Sequence, residues 1–257
     1  VHATEFDRTG GHSANSLVYE IERQGVRSAD WVIAVSGRTK DMVVRHYQAP
    51  AEKVSVVHNG VEPQSDPPVA APYLEELKRR GHKIVLFVGR ITLQKGPDYF
   101  VQVAARVREF YPAVYFVMSG DGDMLGQVMR QAAAAGLGDR LLFTGFLRGG
   151  ELAAVYRAAD LFIMPSVSEP FGITPLEALT HGAPVLVSKQ SGVAEVLSHA
   201  LKVDFWDIDE MVNQIVAVLR HAPLQTTLRQ NGAVEVGRLT WHQAARHCLN
   251  FYYQLAR

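Results

Sequence analysis

The feature that most constrains the fold is a regular alternation of short apolar runs with amphipathic stretches, which begins near Ile84. The apolar runs of strand length are residues 84–89, 113–119, 140–144, 161–165 and 184–188. Segments between them, such as residues 96–111 and 122–136, have helical periodicity. Short apolar strands that alternate with helices indicate a parallel sheet covered on both faces. The sequence therefore predicts a doubly wound, Rossmann-like α/β domain that binds its ligands at the carboxyl ends of the strands.

A smaller α/β piece precedes this domain. Residues 30–35 and 53–58 are predicted strands, residues 37–47 are a predicted helix between them, and Asn59-Gly60 is a turn signal. Residues 62–72 are rich in proline and polar side chains, which is typical of an inter-domain linker. Because residues 1–60 hold too few strands to complete a sheet, we expect them to be the tail end of a truncated first α/β domain.

Composition excludes several classes of function. The 26 basic and 26 acidic residues give a formal net charge of zero, so no strong global field favours nucleic acid or an anionic membrane. Cys248 is the single cysteine, which rules out an intramolecular disulfide and fits a reducing, cytoplasmic setting. The sequence has no apolar run long enough for a transmembrane segment. It begins with Val1 rather than Met, so we expect the true N-terminus to lie further upstream.

The segment Ser168-Glu-Pro-Phe-Gly-Ile-Thr-Pro-Leu-Glu177 follows a predicted buried strand and opens a predicted helix. Thr174 is a suitable N-cap, and Glu177 stands where a capping box has its glutamate. Free backbone N–H groups at such a helix start bind anions, and Gly172 permits close approach of a ligand. A diphosphate would fit there. Glu169 is not explained by helix capping, and a carboxylate beside an anion site needs a cationic or hydroxyl partner.

The segment from Gly89 to Gly96 follows the first strand of the predicted sheet and carries Arg90 and Lys95. Two cations at a strand end can clamp both phosphates of a leaving nucleotide, and their charge would stabilise the developing diphosphate without a metal. The competing interpretation is two solvated surface cations, which is the common state of Lys and Arg.

Two further turns follow strands. Gly120-Asp121-Gly122-Asp123 suggests a dinucleotide fingerprint, but Leu125 occupies the place of its third glycine, so the pattern is incomplete. The two aspartates also match the D-x-D pattern of metal-dependent glycosyltransferases, which arises often by chance, and we predict no metal site. Thr144-Gly145 forms an ordinary strand exit by its local pattern.

The two glutamates eight positions apart match the E-x7-E motif, and the chain resembles the retaining group 1 glycosyltransferases (glycosyltransferase family 4) of the GT-B fold. The resemblance implies that Glu169 meets the sugar's hydroxyls and Glu177 the ribose hydroxyls. It implies that Arg90 and Lys95 form the diphosphate clamp, with Gly89 and Gly120 beside the nucleotide and the backbone near Thr144 beside the base. The backbone N–H groups facing the sugar and phosphates would be those of Phe171, Gly172, Ile173 and Thr174.

The N-terminal segment Val1-His2-Ala3-Thr4-Glu5 resembles the end of a strand in the family's acceptor domain, where a histidine points at the donor sugar. His2 is therefore a candidate catalytic residue. Asn59-Gly60-Val61 resembles the family's hinge. The implied division is an acceptor-side remnant (1–60), a linker and lead-in helix (61–82), a donor-binding domain (83–238) and a terminal helix crossing back (239–257). The N-terminal segment favours glycogen- and starch-synthase-like members.

The sequence thus predicts a retaining, metal-independent hexosyltransferase of carbohydrate biosynthesis that uses no cofactor beyond its UDP- or ADP-sugar substrate. The expected acceptor is a carbohydrate or a lipid-linked molecule, with peripheral membrane contact through the absent part of the first domain and no nucleic-acid partner. Two alternatives stay open: a nucleotide-sugar-binding module that is inactive in this truncated form, and a sugar-nucleotide epimerase of similar fold.

Overall fold

A computed structural model describes residues 1–9, 14–62 and 69–256, and these form an α/β structure with two parallel sheets. The small sheet pairs β1 (Val32–Ala34) with β2 (Val54–Val56). The large sheet contains β3 (Lys83–Val88), β4 (Val114–Ser119), β5 (Leu141–Gly145), β6 (Leu161–Met164), β7 (Val185–Ser188) and β8 (Leu201–Val203). Its order is β5-β4-β3-β6-β7-β8 with every pairing parallel, so the direction of winding reverses between β3 and β6.

Eleven α-helices are assigned among the described residues. They are α1 (Glu5–Arg8), α2 (Ser16–Ser28), α3 (Gly37–Tyr47), α4 (Pro72–Arg79), α5 (Pro97–Phe110), α6 (Leu125–Ala134), α7 (Gly149–Ala158), α8 (Thr174–Thr180), α9 (Ile208–Arg220), α10 (Ala222–Val236) and α11 (Trp241–Leu255). Several begin where a side chain accepts a hydrogen bond from a free backbone N–H group. Ser36 caps α3, Asp207 caps α9 and Thr240 caps α11.

The large sheet separates two apolar cores because successive residues of a strand point to opposite faces. Val85 and Phe87 of β3 pack into the core shared with α5, α6 and α9. Ile84 and Leu86 pack into the core shared with α4, α7 and α8. The sheet is therefore covered on both faces, as the continuous apolar runs predict. Its carboxyl edge at β3 and β6 is the edge where a doubly wound sheet binds ligands.

The seven strands predicted for the two sheets are all present, and in the large sheet their ends lie within one residue of the prediction. The predicted strand end at residues 1–5 is wrong, because residues 1–4 form no strand and α1 begins at Glu5. The physical reason is a capping box in which Asp7 accepts hydrogen bonds from both the backbone N–H and the hydroxyl of Thr4. Residues 63–68 of the predicted linker lie outside the described residues, and the division into domains stays a prediction.

Candidate functional site

A cavity of about 370 Å³ opens at the carboxyl edge of the large sheet, beside the point where the winding reverses. The exits of β3, β4 and β5 and the starts of α7 and α8 contribute its walls. The lining residues are Val88, Gly89, Arg90, Ser119, Gly120, Asp121, Phe146, Leu147, Arg148, Gly149, Leu152, Thr174 and Glu177. The structure therefore brings together five residues that the sequence predicts for nucleotide binding: Gly89, Arg90, Gly120, Thr174 and Glu177.

At the floor of this cavity, the backbone that leaves β3 and the backbone that leaves β4 are in direct contact, and we call this contact the crossing of the two strand exits. Gly120 has φ of 142°, and a Cβ atom there would overlap the carbonyl oxygen of Gly89. The loops are also joined by hydrogen bonds, with Gly89 N donating to Ser119 O at 3.0 Å and Ile91 N donating to Asp121 O at 2.9 Å. Gly120 is thus approached closely by another backbone segment, and its predicted place beside the nucleotide stays a prediction.

Glu177 reaches the cavity from the first turn of α8, and its carboxylate is held from outside the helix. The Tyr156 hydroxyl of α7 donates to Glu177 Oε2 at 2.8 Å. Burial raises the pKa of Tyr156 well above its usual range, and the adjacent Glu177 charge adds to that effect. The predicted capping box is wrong: Ile173 is the N-cap, no side chain caps the helix, and Thr174 is already helical. Tyr156 donates to one oxygen of the Glu177 carboxylate and fixes its orientation. The other oxygen can therefore accept hydrogen bonds from a ligand.

Lys95 and Glu169 form an ion pair beside the cavity. The Lys95 side chain passes close to Gly89, and its Nζ contacts Glu169 Oε2, while Ser166 Oγ lies 3.5 Å from the same oxygen. Glu169 is buried, so the cation that the sequence requires beside this carboxylate is Lys95 itself. Arg90 is exposed and donates to Gln94 Oε1 at 3.2 Å. Lys95 is therefore not one of the solvated surface cations of the competing interpretation.

The loop between Glu169 and α8 presents unused backbone donors. None of the backbone N–H groups of residues 171–174 donates a hydrogen bond to a group within the described part of the chain. Gly172 has φ of 103°, and a Cβ there would press against the Met164 and Glu169 side chains. Phe171 is buried, whereas Ile173 and Thr174 are half-buried. Free N–H groups near the two cations Arg90 and Lys95 are suited to bind an oxyanion.

The opposite wall of the cavity is formed after β5. Phe146 is 66% exposed, and the Arg148 guanidinium lies 4.9 Å from the centre of its ring. An exposed aromatic ring under a guanidinium is a suitable surface for a flat base. Thr144 does not line the cavity, and its hydroxyl donates to Gly145 O at 3.0 Å. The exposed ring that lines the cavity thus follows Thr144 by two residues, and the role of this loop beside the base stays a prediction.

His2 lies apart from this cavity. It lines a second cavity of about 490 Å³, together with His58, Asn59, Trp241 and Cys248. That cavity lies between the small sheet and α11, and its walls are mainly apolar. The structure does not bring His2 together with the other predicted site residues, and its catalytic role stays a prediction.

Sequence reasoning missed the groups that hold the predicted residues in place. Tyr156 is such a group, and so is Asp7, whose Oδ1 accepts a hydrogen bond from Ser168 Oγ at 2.9 Å. Arg148 was also missed, although its place two residues after Phe146 could have suggested a cation over a ring. Tyr156 had no such signal, since it lies 21 positions from its partner and its spacing is that of an ordinary helical core residue.

Two kinds of feature are absent from the described residues. No three His, Cys, Asp or Glu side chains of the described part converge in a way that could hold a metal ion. No helix formed by the described residues combines the length and the apolar character needed to cross a bilayer.

Two family profiles match the chain. The profile of Glycosyl transferases group 1 matches residues 74–234, which contain the large sheet and the cavity. The profile of Glycosyltransferase Family 4 matches residues 1–65. The two matched segments thus cover the small sheet and the large sheet in chain order.

Known proteins resemble the chain in sequence and in structure. An uncharacterized glycosyltransferase of Methanocaldococcus jannaschii is 30% identical over 266 residues, which cover 98% of this chain and 67% of that protein. The solved sucrose-phosphate synthase of Thermosynechococcus elongatus has a TM-score of 0.81 at 25% identity and covers 99% of this chain and 66% of its own. Anabaena HepE, solved with UDP and glucose, has a TM-score of 0.81 at 19% identity, with 93% and 68% covered.

These matches confirm the predicted doubly wound α/β fold of GT-B type. The chain spans only part of its relatives, between 52% and 67% of the length of four curated ones.

Proposed function

The chain belongs to the group 1 glycosyl transferases, and from that premise we propose that the protein transfers a hexosyl unit from a nucleoside-diphosphate sugar to an acceptor hydroxyl, with retention at the anomeric carbon and without a metal. The observation that carries the proposal is the cavity at the reversal of the sheet. Its rim combines cations, free backbone N–H groups and a fixed carboxylate, which are the groups that a sugar nucleotide requires.

Each part of the sugar nucleotide has a proposed partner in this arrangement. The ribose hydroxyls donate to Glu177, whose second partner is Tyr156. The base lies against Phe146 and Arg148. Arg90 and the N–H groups of residues 171–174 bind the diphosphate. The sugar hydroxyls meet Glu169 beside Gly172.

Lys95 has two partners in the proposed cycle. In the structure it pairs with Glu169, whose carboxylate is buried. When the donor is bound, its ammonium turns to the diphosphate, and the sugar hydroxyls replace it on Glu169. The pair thus holds both side chains close to their proposed working positions.

The proposed reaction uses these positions. The acceptor oxygen forms a bond to the anomeric carbon on the face from which the diphosphate leaves. The bond between that carbon and the diphosphate oxygen breaks, and the nucleoside diphosphate departs with the acceptor's proton on its terminal phosphate. Arg90 and Lys95 stabilise the negative charge that develops on the leaving group. His2 is proposed to approach the donor sugar from the N-terminal side.

The test is turnover by the Arg90→Ala and Lys95→Ala variants, with Arg79→Ala as an exposed control cation on α4. We expect each clamp variant to lower kcat/KM by on the order of 100-fold, because each removes charge stabilisation from the transition state. Arg79→Ala should match the wild type. Unchanged turnover in both clamp variants contradicts the assignment.

Calorimetry with UDP, ADP and GDP and with their glucose conjugates identifies the nucleotide of the donor. We propose a UDP- or ADP-glucose donor, supported by the N-terminal likeness to glycogen- and starch-synthase-like members and by a neighbour solved with UDP and glucose. A metal-independent enzyme keeps its turnover in the presence of EDTA. Binding of a sugar nucleotide without transfer to any acceptor would favour the alternative function of a nucleotide-sugar-binding module.

A further inference from the structure

A buried polar seam joins the N-terminal residues to the loop that carries Glu169. The seam consists of Asp7, Ser36 and Thr39 on one side and Ser168 and Pro170 on the other. The Ser168 hydroxyl donates to Asp7 Oδ1 at 2.9 Å, and the Ser36 hydroxyl donates to the Pro170 carbonyl at 2.6 Å. The Thr39 hydroxyl donates to the same carbonyl at 3.3 Å. Asp7 is 2% exposed, Ser36 0% and Ser168 4%, so these bonds are shielded from water.

Asp7 divides its carboxylate between two tasks. Oδ2 accepts hydrogen bonds from the backbone N–H of Thr4 at 2.8 Å and from its hydroxyl at 2.9 Å, and so starts α1. Oδ1 is committed to Ser168. No Lys, Arg or His of the described residues lies within ion-pair distance of Asp7. A buried carboxylate without a counter-ion depends on its hydrogen bonds, and one of its three reaches out of the N-terminal segment.

Glu169 stands between the two anchored residues of the loop. Its own N–H donates to Gln190 O at 3.0 Å, and its carbonyl accepts from Gly192 N at 2.9 Å. The loop is therefore fixed on one edge by the backbone that follows β7 and on the other edge by the polar seam. The main chain from which the Glu169 side chain projects is thus held on both edges.

We propose that Asp7 and Ser36 are positioning residues for Glu169, which hold the sugar-facing carboxylate in register with the diphosphate clamp. The inference rests on the proposed function, since it takes Glu169 as the group that meets the donor sugar. Neither residue lines the nucleotide cavity, so their effect passes through the backbone of residues 168–170. A shift of Glu169 by a fraction of an ångström weakens its bonds to sugar hydroxyls. The proposed contacts with the base, the ribose and Arg90 come from other elements and stay in place.

The experiment compares two dissociation constants in each variant by calorimetry. The probes are UDP, ADP and GDP, each beside its glucose conjugate, and the pair that the wild type binds best is used throughout. Asp7→Asn and Ser168→Ala should weaken binding of the sugar nucleotide by about tenfold, because a hydrogen-bonded group is misplaced. Binding of the nucleoside diphosphate should change less than about twofold, because hydrogen-bond losses are confined to the sugar.

The matched control is Glu22→Gln, the same carboxylate-to-amide change near α1. Glu22 Oε2 accepts from Glu5 N at 3.0 Å and from the Tyr47 hydroxyl at 2.5 Å, and it makes no hydrogen bond to residues 168–170. The control should leave the ratio of the two constants at the wild-type value, although it destabilises the same part of the chain. Ser36→Ala carries the same expectation as Asp7→Asn and serves in its place if that variant does not fold.

Failure of the positioning role and failure of the proposed function give different results. A wild-type ratio in Ser168→Ala and in Asp7→Asn or Ser36→Ala overturns the positioning role, and so does an equal change in Glu22→Gln. A wild-type protein that binds none of the six nucleotides contradicts the proposed function, and the inference falls with it.

Discussion

At the scale of single residues, the carboxylate of Glu177 depends on a tyrosine from another helix. Tyr156 is almost fully buried, and its hydroxyl has Glu177 as its hydrogen-bond partner. Burial, followed by the negative charge of Glu177, raises the pKa of Tyr156, so the hydroxyl remains a donor at every pH near neutrality. The tyrosine therefore fixes one carboxylate oxygen and leaves the other for the ligand.

A Tyr156→Phe variant keeps the buried ring and removes only the hydrogen bond. We expect its dissociation constant for the nucleoside diphosphate to rise about fivefold, which is the magnitude of one lost hydrogen bond that orients a charged group. Isothermal calorimetry measures the change. The matched control is Tyr47→Phe, which removes another buried tyrosine hydroxyl, bonded to Glu22 and remote from the cavity. Equal affinities in the two variants would contradict the orienting role of Tyr156.

Residue types were easier to predict than residue partners. The sequence identified Lys95 and Glu169 as charged groups at strand ends, and the structure adds that they pair with each other. It also favoured a local cap for Glu177, since residues 174 and 177 are neighbours on a helix turn. In the structure no side chain caps this helix, and Glu177 accepts a hydrogen bond from Tyr156 instead. Such a tertiary contact joins residues that are far apart in the sequence. A pattern of neighbours in sequence carries no information about such a partner.

At the scale of elements, the crossing of the β3 and β4 exits determines the shape of the cavity floor. The alternation of apolar runs predicts both strands, because buried parallel strands need continuous apolar residues. It misses β8, which has only three residues, and α2, whose helix has no residue in the core. A strand of three residues is too short to show a clear period. The helix α2 is amphipathic, so its periodicity is detectable even though none of its residues is buried.

Gly120→Ala tests the crossing. The new Cβ would overlap Gly89 O, and the backbone at φ of 142° is one that alanine rarely adopts. We expect a loss of about 3 kcal/mol in the free energy of unfolding, because both the strain and the displaced loop oppose folding. Urea unfolding measures it. In Gly138→Ala the new Cβ meets no atom within 4 Å, and that control should stay within about 0.5 kcal/mol of the wild type. A Gly120→Ala protein as stable as this control would show that the crossing is not tight.

At the scale of the whole molecule, two connections between the small and large sheets cross at Gly60. One is the segment after β2, and the other is the joint between α10 and α11. Val61 N donates to Leu239 O at 2.8 Å, and a Cβ on Gly60 would overlap the backbone at Thr240 and Trp241. Farther along the same interface, Glu195 accepts hydrogen bonds from Gly37 N and Arg38 N at 2.8 Å each. The local pattern marks Asn59-Gly60 only as a turn, and the family resemblance alone implied that a terminal helix starting at residue 239 crosses back to the first domain.

Gly60→Ala should therefore loosen the connection between the sheets while leaving each core intact. We expect a lower Tm and, in calorimetry, a transition that splits or broadens, because the elements around the small sheet lose contact before the large sheet unfolds. The control is Gly25→Ala within α2, where a Cβ meets no atom within 4 Å and where alanine should stabilise the helix by roughly 0.5–1 kcal/mol. Since the seam at Ser168 and Pro170 depends on the same interface, Gly60→Ala should also weaken binding of the sugar nucleotide more than binding of the nucleoside diphosphate. A single transition at the wild-type Tm would mean that the crossing at Gly60 does not couple the two sheets.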